Sequence, residues 1–478
     1  MPVLVITGNV LLPVCLETGK QLLPVCRVCD LPVIVWGEDM MEILKEIIRD
    51  SHEAPIVTGI PRRLNTPAIP GKAGVFMGVR RSGKSTYMNQ LMQGLIDGGL
   101  PRQNILAVNF FDDRLAELRR QGPAAVIDAY WSRFPEKKNV ETIHCFFDEI
   151  QEVADWEPFV DRLLRTENCQ VYLTGSSAKM LSSEIATQMR GRSIPWEVFP
   201  FSFPEYLDSR GIQAPAVPTS RQRFLIRQAF DEFMLRGGFP EVTGFDRRLR
   251  TKVHQEYFGA IMYRDIVERH NVAHPRMLSE LTRRLIDNAG SMYSHNSLTG
   301  FLKSTGHKAT KAIVSDFLEW LQDAYLLFSV KLFDSSAARV NTNPKKIYCV
   351  DQGLVRSLSS GVLANTGHML ENAVFLAIRR HFPDIAYYRG PGGREVDFVV
   401  RRSDGGLDLV QVCENMADSA TRHREVTGLA EAMKALNVST GTIVTLDESS
   451  TVDADHGLIT VVPAWKYMLG LAEDGFRP

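Results

Sequence analysis

The chain has 478 residues, and its 55 lysine and arginine side chains nearly balance 56 acidic ones, leaving a net charge of -1. This balance excludes the global positive charge of many nucleic-acid-binding proteins, although local basic patches remain open. No apolar run approaches the ~20 residues of a membrane span. The seven cysteines are scattered, as is typical of free thiols in a reducing compartment. We therefore expect a cytoplasmic protein that is too long for one core and divides into several units.

The N-terminal segment differs from the rest of the chain. Residues 1–37 combine apolar residues, prolines and three cysteines without a sustained helical or strand period. We interpret residues 1–40 as a poorly structured extension. A natural start at Met40 or Met41 is a hypothesis that the intact mass of the natively expressed protein would decide. From residue 41 an amphipathic helical pattern begins, and a basic link then leads to residue 72.

A glycine-rich turn at residues 78–86 lies between an apolar run and a helical pattern. A strand, a glycine turn and Lys-Ser at the start of a helix form the arrangement of a phosphate-binding loop, or P-loop. Lys84 would reach the β- and γ-phosphates of ATP or GTP, and Ser85 would bind Mg²⁺. An ordinary glycine turn explains the glycines but not the Lys-Ser pair. The predicted nucleotide-binding residues of this loop are Gly78, Arg81, Ser82, Gly83, Lys84, Ser85 and Thr86.

Strand and helix patterns alternate after the P-loop. Apolar strand patterns cover residues 104–110, 143–147 and 169–174, with helical patterns between them. Near-continuous apolar strands that alternate with helices are typical of a parallel sheet covered on both faces. Ligands of such a sheet bind beyond the carboxyl ends of the strands. Polar residues that follow these strands are therefore candidates for the functional site.

Two acidic residues end the second of these strands. Asp148 and Glu149 follow an apolar run, which is the Walker B arrangement. We predict that Asp148 holds Mg²⁺ and that Glu149 orients or deprotonates the attacking water. Two acids at the polar end of a strand are common in any protein, but the P-loop upstream favours the functional interpretation.

The next strand is followed by Ser176 and Ser177, which could contact the γ-phosphate or the attacking water. Gly-Ser-Ser is also typical of a plain turn. Shortly afterwards, Arg190 and Arg192 are candidates for an arginine that stabilises the transferred phosphoryl group, in cis or from a neighbouring subunit. A solvated arginine at a helix end is the alternative interpretation.

Several motifs occur together in one order: the P-loop and residues 147–151, 173–177, 191–192, 200–206 and 237–240. This series resembles the predicted archaeal and bacterial AAA+ ATPases related to the STAND and origin-recognition groups, which carry a C-terminal domain long classed as of unknown function. The resemblance covers residues 41–478 and implies an α/β fold. The implied units are a P-loop AAA+ core with a parallel sheet (73–207), a helical lid (208–265), a winged helix (266–338) and a restriction-endonuclease-like α/β domain similar to PD-(D/E)xK nucleases (339–478).

The same resemblance implies roles for individual residues. The motif at residues 237–240 would lie near the adenine, with Pro240 closest to it, and Ser176 and Arg192 would contribute to the site. Adenine rather than guanine rests on this resemblance, and no guanine-reading Asn-Lys-x-Asp motif is visible. The predicted catalytic residues are then Lys84, Glu149 and Arg192, and the predicted Mg²⁺ ligands are Ser85 and Asp148.

The C-terminal domain can be tested against nuclease chemistry. A metal nuclease of this fold needs a helical Glu, an Asp that closes one strand and Glu-x-Lys on the next. Glu371 and Asp397 match the first two, but Gln411 replaces the second acid and Cys413 replaces the lysine. An amide binds Mg²⁺ much more weakly than a carboxylate, and a thiol lacks the charge of lysine. We therefore predict a degenerate nuclease fold in which Glu371 and Asp397 remain as ligands or as polar structure.

The candidate partners are ATP, DNA and an unknown protein, and a homo-oligomer stays open. Lys303, His307, Lys308 and Lys311 lie near the expected recognition helix of the winged-helix domain and could contact DNA phosphates. Four such charges are also normal on a helix surface. The leading prediction is an ATP- and Mg²⁺-dependent hydrolase that couples its nucleotide state to DNA or a protein. The alternatives are a nucleotide-gated binding module with incidental turnover and an active nuclease.

Overall fold

The computed structural model describes residues 3–7, 10–14, 38–175, 189, 191–359 and 366–474. Strands β1 (Val3–Thr7) and β2 (Val10–Val14) pair antiparallel, within the segment where the sequence predicted no sustained strand period. Helix α1 (Glu38–Glu53) contains the amphipathic pattern that begins at residue 41, and Leu44 and Ile48 on its apolar face are fully buried.

Five strands form the first sheet: β3 (Ala73–Met77), β4 (Ile105–Asn109), β5 (Ile143–Asp148), β6 (Cys169–Gly175) and β7 (Ser193–Glu197). Their spatial order is β4-β5-β6-β3-β7, and every neighbouring pair is parallel. The helices of this part are α2 (Lys84–Asp97), α3 (Ala116–Gln121), α4 (Ala124–Arg133) and α5 (Trp156–Thr166). The predicted parallel sheet is confirmed.

Both faces of this sheet are covered. Val75, Phe76 and Met77 are consecutive residues of β3, and each is at most 1% exposed. Because successive side chains of a strand point to opposite faces, their joint burial requires protein on both sides. Strand β6 lies between β5 and β3, so the carboxyl ends of these three strands meet at one edge of the sheet.

A helical region follows the first sheet. Its helices are α6 (Phe203–Ser209), α7 (Ser220–Arg236), α8 (Arg247–Ala260), α9 (Pro275–Asp287), α10 (His295–Ser304) and α11 (Lys311–Asp323), with a π-helical segment at Ile261–Glu268 after α8. Helices α6 and α7 each begin with a capping box, at Ser202 and Thr219 respectively, which satisfies the first backbone amides.

The second sheet is mixed and has nine strands: β8 (Met292–Tyr293), β9 (Leu327–Leu332), β10 (Lys345–Cys349), β11 (Ile385–Arg389), β12 (Glu395–Arg401), β13 (Leu407–Val412), β14 (Thr440–Thr445), β15 (Ser450–Ala454) and β16 (Gly457–Pro463). Their order is β15-β16-β14-β13-β12-β11-β9-β10-β8. The remaining helices are α12 (Ala337–Thr342), α13 (Gln352–Leu358), α14 (Thr366–Arg379), α15 (Ser419–Leu436) and α16 (Ala464–Asp474).

This mixed sheet joins two of the units that the sequence predicted. Strands β8 and β9 precede residue 338, whereas β11 to β16 follow residue 339, and β9 pairs directly with β11. One connected hydrophobic core also extends from Leu44 of α1 through Val75 of β3 to Met468 of α16. None of the helices in the described residues combines the length and the hydropathy needed to cross a membrane.

Candidate nucleotide-binding site

The P-loop occupies the turn between β3, which ends at Met77, and α2, which begins at Lys84. Gly78 has a φ of 152°, and a Cβ atom placed on it would lie 2.2 Å from the carbonyl oxygen of Val198. Any side chain at this position would therefore collide with the backbone that follows β7. The close approach of the Val198 carbonyl therefore explains why the motif has glycine at position 78.

Two polar side chains of the loop are buried. The Lys84 ammonium group donates to the carbonyl oxygens of Gly78 and Val79 at 3.1 Å each, and burial lowers the pKa of Lys84 although Glu149 and Asp148 oppose the shift. The Ser82 hydroxyl is buried and has no hydrogen-bond partner among the described residues. A buried cation beside an unpaired hydroxyl at a helix N-terminus fits a phosphate group.

The two predicted Mg²⁺ ligands lie together. The Ser85 hydroxyl at the start of α2 donates to the Asp148 carboxylate at the end of β5, at 3.1 Å. The described residues contain no cluster of three or more His, Cys, Asp or Glu side chains suited to a metal ion. Mg²⁺ commonly takes one or two protein oxygens and completes its shell with water and phosphate oxygens. Ser85 and Asp148 fit that pattern.

Glu149 has an unusual backbone conformation and a partly buried carboxyl group. Its φ of 54° lies in the left-handed region, which is uncommon for non-glycine residues. Burial raises the pKa of Glu149, although Lys84 and a hydrogen bond of 2.5 Å from the Gln151 amide oppose the shift. A carboxyl group with a raised pKa is better matched to accepting a proton at neutral pH than an ordinary glutamate.

Thr174 joins these acids, and the sequence did not single it out. Its hydroxyl donates to the Asp148 carboxylate and accepts a hydrogen bond of 2.9 Å from the Glu149 backbone amide. Thr174 lies near the end of β6, next to β5. Its position as a polar residue at the carboxyl end of a predicted strand is the sequence feature that would have identified it. The serines predicted for this position, Ser176 and Ser177, lie outside the described residues, as does Arg190.

The loop at residues 237–240 lies against the P-loop. A Cβ atom placed on Gly83 would be 3.8 Å from Cγ of Pro240. Arg81 is mostly exposed, and its guanidinium lies 3.9 Å from the carboxylate of Glu241, the residue after this loop. Thr86 faces the preceding link, since a Cβ on Gly59 would lie 3.1 Å from its methyl group. The structure therefore brings Pro240 beside the P-loop.

Arg192 is not brought to this site within its own chain. It directly precedes β7, its carbonyl accepts from Ala73 at the start of β3, and its guanidinium lies 3.4 Å from Asp161. Since β3 and β7 are parallel, Arg192 lies at the amino edge of the sheet, about 16 Å from the carboxyl edge at ~3.3 Å per residue over the strand. A role from a neighbouring subunit stays a prediction.

Two arginines that the sequence did not assign hold the P-loop. Arg62 donates to the Ser82 carbonyl at 2.8 Å and pairs with Glu205 at 2.9 Å. Arg80 makes a two-pronged ion pair, at 2.8 and 3.2 Å, with Asp265 of the π-helical segment. Arg62 lies in the basic link that the sequence places before the P-loop. Its partner Glu205 is 143 residues away, so the sequence does not indicate their contact.

The comparisons with known proteins agree with this geometry. The AAA domain family matches residues 71–207, and two domains of unknown function, DUF8612 and DUF4143, match residues 227–365 and 366–467. An uncharacterised protein of Methanocaldococcus jannaschii is 31% identical over 442 residues, which cover 90% of this chain and 96% of that protein. The chain belongs to the archaeal and bacterial AAA+ ATPase family.

Further similarities of this AAA+ protein are weaker. An uncharacterised protein of Haemophilus influenzae is 29% identical, with 69% of this chain and 80% of that protein covered. Among solved structures, the Walker-type ATPase PABY2304 of Pyrococcus abyssi has 13% identity and a TM-score of 0.38, covering 67% of this chain and 95% of that one. The ORC1 protein of Aeropyrum pernix, solved in complex with DNA, has 14% identity and a TM-score of 0.29, with 69% and 94% covered.

Proposed function

We propose that this protein binds ATP with Mg²⁺ and hydrolyses it. The observation that carries the proposal is the arrangement of Ser85, Asp148, Thr174 and Glu149 at one sheet edge beside the buried Lys84. A bound Mg²⁺ would neutralise phosphate charge in this place. The finer assignments, to an adenine base near Pro240 and to a cytoplasmic protein, are part of the same proposal.

Each side chain has a distinct task in this proposal. Lys84 and the amides at the start of α2 hold the phosphates by charge, and Ser85 and Asp148 hold the metal ion. Glu149 takes a proton from the attacking water, which its raised pKa favours at neutral pH. Thr174 keeps Asp148 and Glu149 in their relative orientation.

Replacement of Glu149 by glutamine tests the proposal. Glu149→Gln is expected to bind ATP as the wild-type protein does and to lose ~10²–10⁴-fold in kcat, because only proton transfer is removed. Lys84→Ala is expected to lose ATP binding as well. Glu152→Gln is the matched control, since Glu152 is exposed and three residues further along, and it should turn over normally. Undiminished turnover in Glu149→Gln would remove Glu149 from the mechanism.

A second function, DNA binding through a winged helix, is supported by the order α9, β8, α10, α11, β9, β10, with β8 paired to β10. Lys303, Lys308 and Lys311 are exposed around the turn between α10 and α11, whereas His307 is held by Glu280 at 3.0 Å. We propose that these lysines contact phosphates while the ATPase cycle moves this region relative to the first sheet.

The salt dependence of DNA binding tests this second function. We expect the affinity for duplex DNA to fall as salt rises, and the slope of log K against log salt to decrease by about one unit for each lysine replaced by glutamine. Replacement of the three exposed lysines together should abolish most binding, whereas Lys45→Gln on α1 should change nothing. A slope unchanged in the triple variant would contradict phosphate contacts there.

A further inference from the structure

Three carboxylates surround one lysine in the second sheet. Lys346 lies on β10, and its ammonium nitrogen is 2.8 Å from Glu371, 2.7 Å from Asp397 and 2.7 Å from Glu395. Glu371 comes from α14, and the other two acids come from β12. The two acids that the sequence matched to a nuclease metal site therefore already share a cation, and that cation belongs to the chain.

Several other polar atoms of this cluster are also hydrogen-bonded. The second oxygen of Asp397 accepts from the Val412 amide at 2.8 Å, and the Tyr348 hydroxyl donates to Glu371 at 2.6 Å. Gln411, which stands where a nuclease has its second acid, accepts from the Asp397 amide at 3.1 Å. Its amide nitrogen donates to Glu425 at 2.9 Å. With Lys346 in place, one oxygen of Glu371 and both oxygens of Asp397 are therefore already hydrogen-bonded.

The cluster is largely buried, although 30% of the Glu395 side chain is exposed. Lys346 is 3% exposed, Asp397 is 6% exposed and Glu371 is 7% exposed. The ring of Phe375 stacks on Tyr348 with centroids 4.2 Å apart, which packs the side from which Tyr348 reaches Glu371. A DNA phosphodiester needs direct access to metal-bound oxygens to be cleaved, and the burial of Asp397 and Glu371 restricts that access.

We propose that the Lys346 ammonium group takes the place of a divalent metal ion in this cluster, so that the C-terminal sheet has a metal-free charged core instead of a nuclease centre. The residues present do not fit the metal that the nuclease resemblance implies. Because the ammonium group is covalently attached to the chain, its effective concentration beside the acids is high. A divalent ion that bound next to it would be repelled by its positive charge over a few ångströms. Cys413 stands where the nuclease motif would have its lysine. Its thiol donates to the Asn415 carbonyl at 3.2 Å rather than to the acids around Lys346.

Removing Lys346 should expose the latent metal site. In an Asp148→Asn background, which lacks the metal ligand near the P-loop, Mn²⁺ binding is titrated without nucleotide. Lys346→Ala is expected to bind one more Mn²⁺ per chain than its parent, and Asp397→Asn added to it should remove that ion. Lys345→Ala is the matched control, because Lys345 is the neighbouring residue on the same strand, and it should bind as the parent does.

Two results would overturn the proposal. One is a folded Lys346→Ala protein that takes up no additional Mn²⁺. The other is a parent protein that already binds an Mn²⁺ ion that Asp397→Asn removes. If Lys346→Ala does not fold, the parent titration decides by itself, since the proposal requires Asp397→Asn to leave its Mn²⁺ stoichiometry unchanged.

Cleavage of supercoiled DNA gives an independent readout on the wild-type chain. In the presence of Mn²⁺, we expect the wild-type protein and Asp397→Ala to show the same absence of DNA cleavage. If the wild-type protein nicks DNA and Asp397→Ala does not, Lys346 would instead belong to an active nuclease centre. That result would contradict the proposal.

Discussion

The hydroxyl group of Thr174 touches both acids that end β5. It donates to Asp148 and accepts from the Glu149 amide, so a single atom contacts both the proposed metal ligand and the backbone of the proposed base. Glu149 keeps a left-handed backbone conformation that costs of order 1–3 kcal/mol, which surrounding contacts such as this one must offset. We therefore expect Thr174 to be a positioning residue that acts through Asp148 and Glu149.

Thr174→Val tests this role with almost no change in side-chain volume. The loss of two hydrogen bonds, each worth about 1 kcal/mol, should lower kcat by about tenfold or more and leave the affinity for ATP nearly unchanged. Steady-state kinetics and equilibrium ATP binding measure the two effects separately. Thr451→Val on the exposed edge strand β15 is the control. Equal loss of affinity and turnover would point to a general structural defect instead.

At the scale of the elements, the start of α6 is tied to the P-loop through one buried ion pair. Glu205 completes the capping box with Ser202 and pairs with Arg62, and both charged side chains are at most 3% exposed. Burial alone would raise the pKa of Glu205, but Arg62, Arg380 and the Ser202 amide together hold it at about 2. Arg62 in turn donates to the Ser82 carbonyl, so this helix start supports the phosphate-binding loop.

The pKa of Glu205 predicts a pH-dependent contribution to stability. A carboxyl group with a folded pKa of about 2, against 4.5 ordinarily, contributes about 3 kcal/mol at neutral pH. Because this pKa is depressed, the contribution is complete above pH ~4.5 and is lost as the pH falls towards ~2. Urea unfolding should show Glu205→Gln destabilised by about this amount near neutral pH, with a smaller difference from wild type near pH ~3.

The neighbouring pair of Arg63 and Asp208 is the matched control. Its side chains are 46% and 38% exposed, so Asp208→Asn should cost less than about 1 kcal/mol. Similar losses in Asp208→Asn and Glu205→Gln would show that burial of the Arg62 pair adds nothing to its strength.

For the whole molecule, the decisive contact is between the C-terminal region and the loop beside the P-loop. Buried Asp351, at the start of α13, accepts from the Gly238 amide at 2.5 Å. The Phe201 amide donates to the Gly238 carbonyl oxygen at 2.6 Å, which ties this loop to the backbone after β7. Arg380 adds a hydrogen bond of 2.7 Å to the Pro200 carbonyl. The C-terminal region therefore supports the loop beside the proposed nucleotide site.

Asp351→Ala should weaken this junction at both ends. The amides of Gly238 and Leu354 lose their acceptor, which should lower the free energy of unfolding by about 3 kcal/mol. Because the loop carrying Pro240 is released, we also expect a higher KM for ATP. Asp404→Ala is the control, since Asp404 caps the Gly406 amide in an exposed turn. An unchanged KM in a destabilised Asp351→Ala protein would mean that the junction does not reach the nucleotide site.

Local sequence patterns were sufficient for the features whose parts are close together in the chain. The P-loop needs only a strand, a turn and a helix start within about a dozen residues, and Asp148 and Glu149 follow directly from the strand that carries them. Hydrophobic periodicity predicts such local helices and strands well, because the burial of one face determines the order of apolar and polar residues along the segment. The parallel sheet and the Walker motifs were predicted from these patterns, and the family from the resemblance carried by the series of motifs.

The tertiary structure decided which distant residues meet. Strand order places Thr174 against Asp148, and the direction of β7 puts Arg192 at the opposite edge of the sheet. Arg62 finds Glu205 across 143 residues, and Lys346 fills a cluster whose other members begin 25 residues later. Such pairings depend on how whole elements pack, which no local period encodes, and the polar residues involved look like ordinary surface charges until the fold removes them from water.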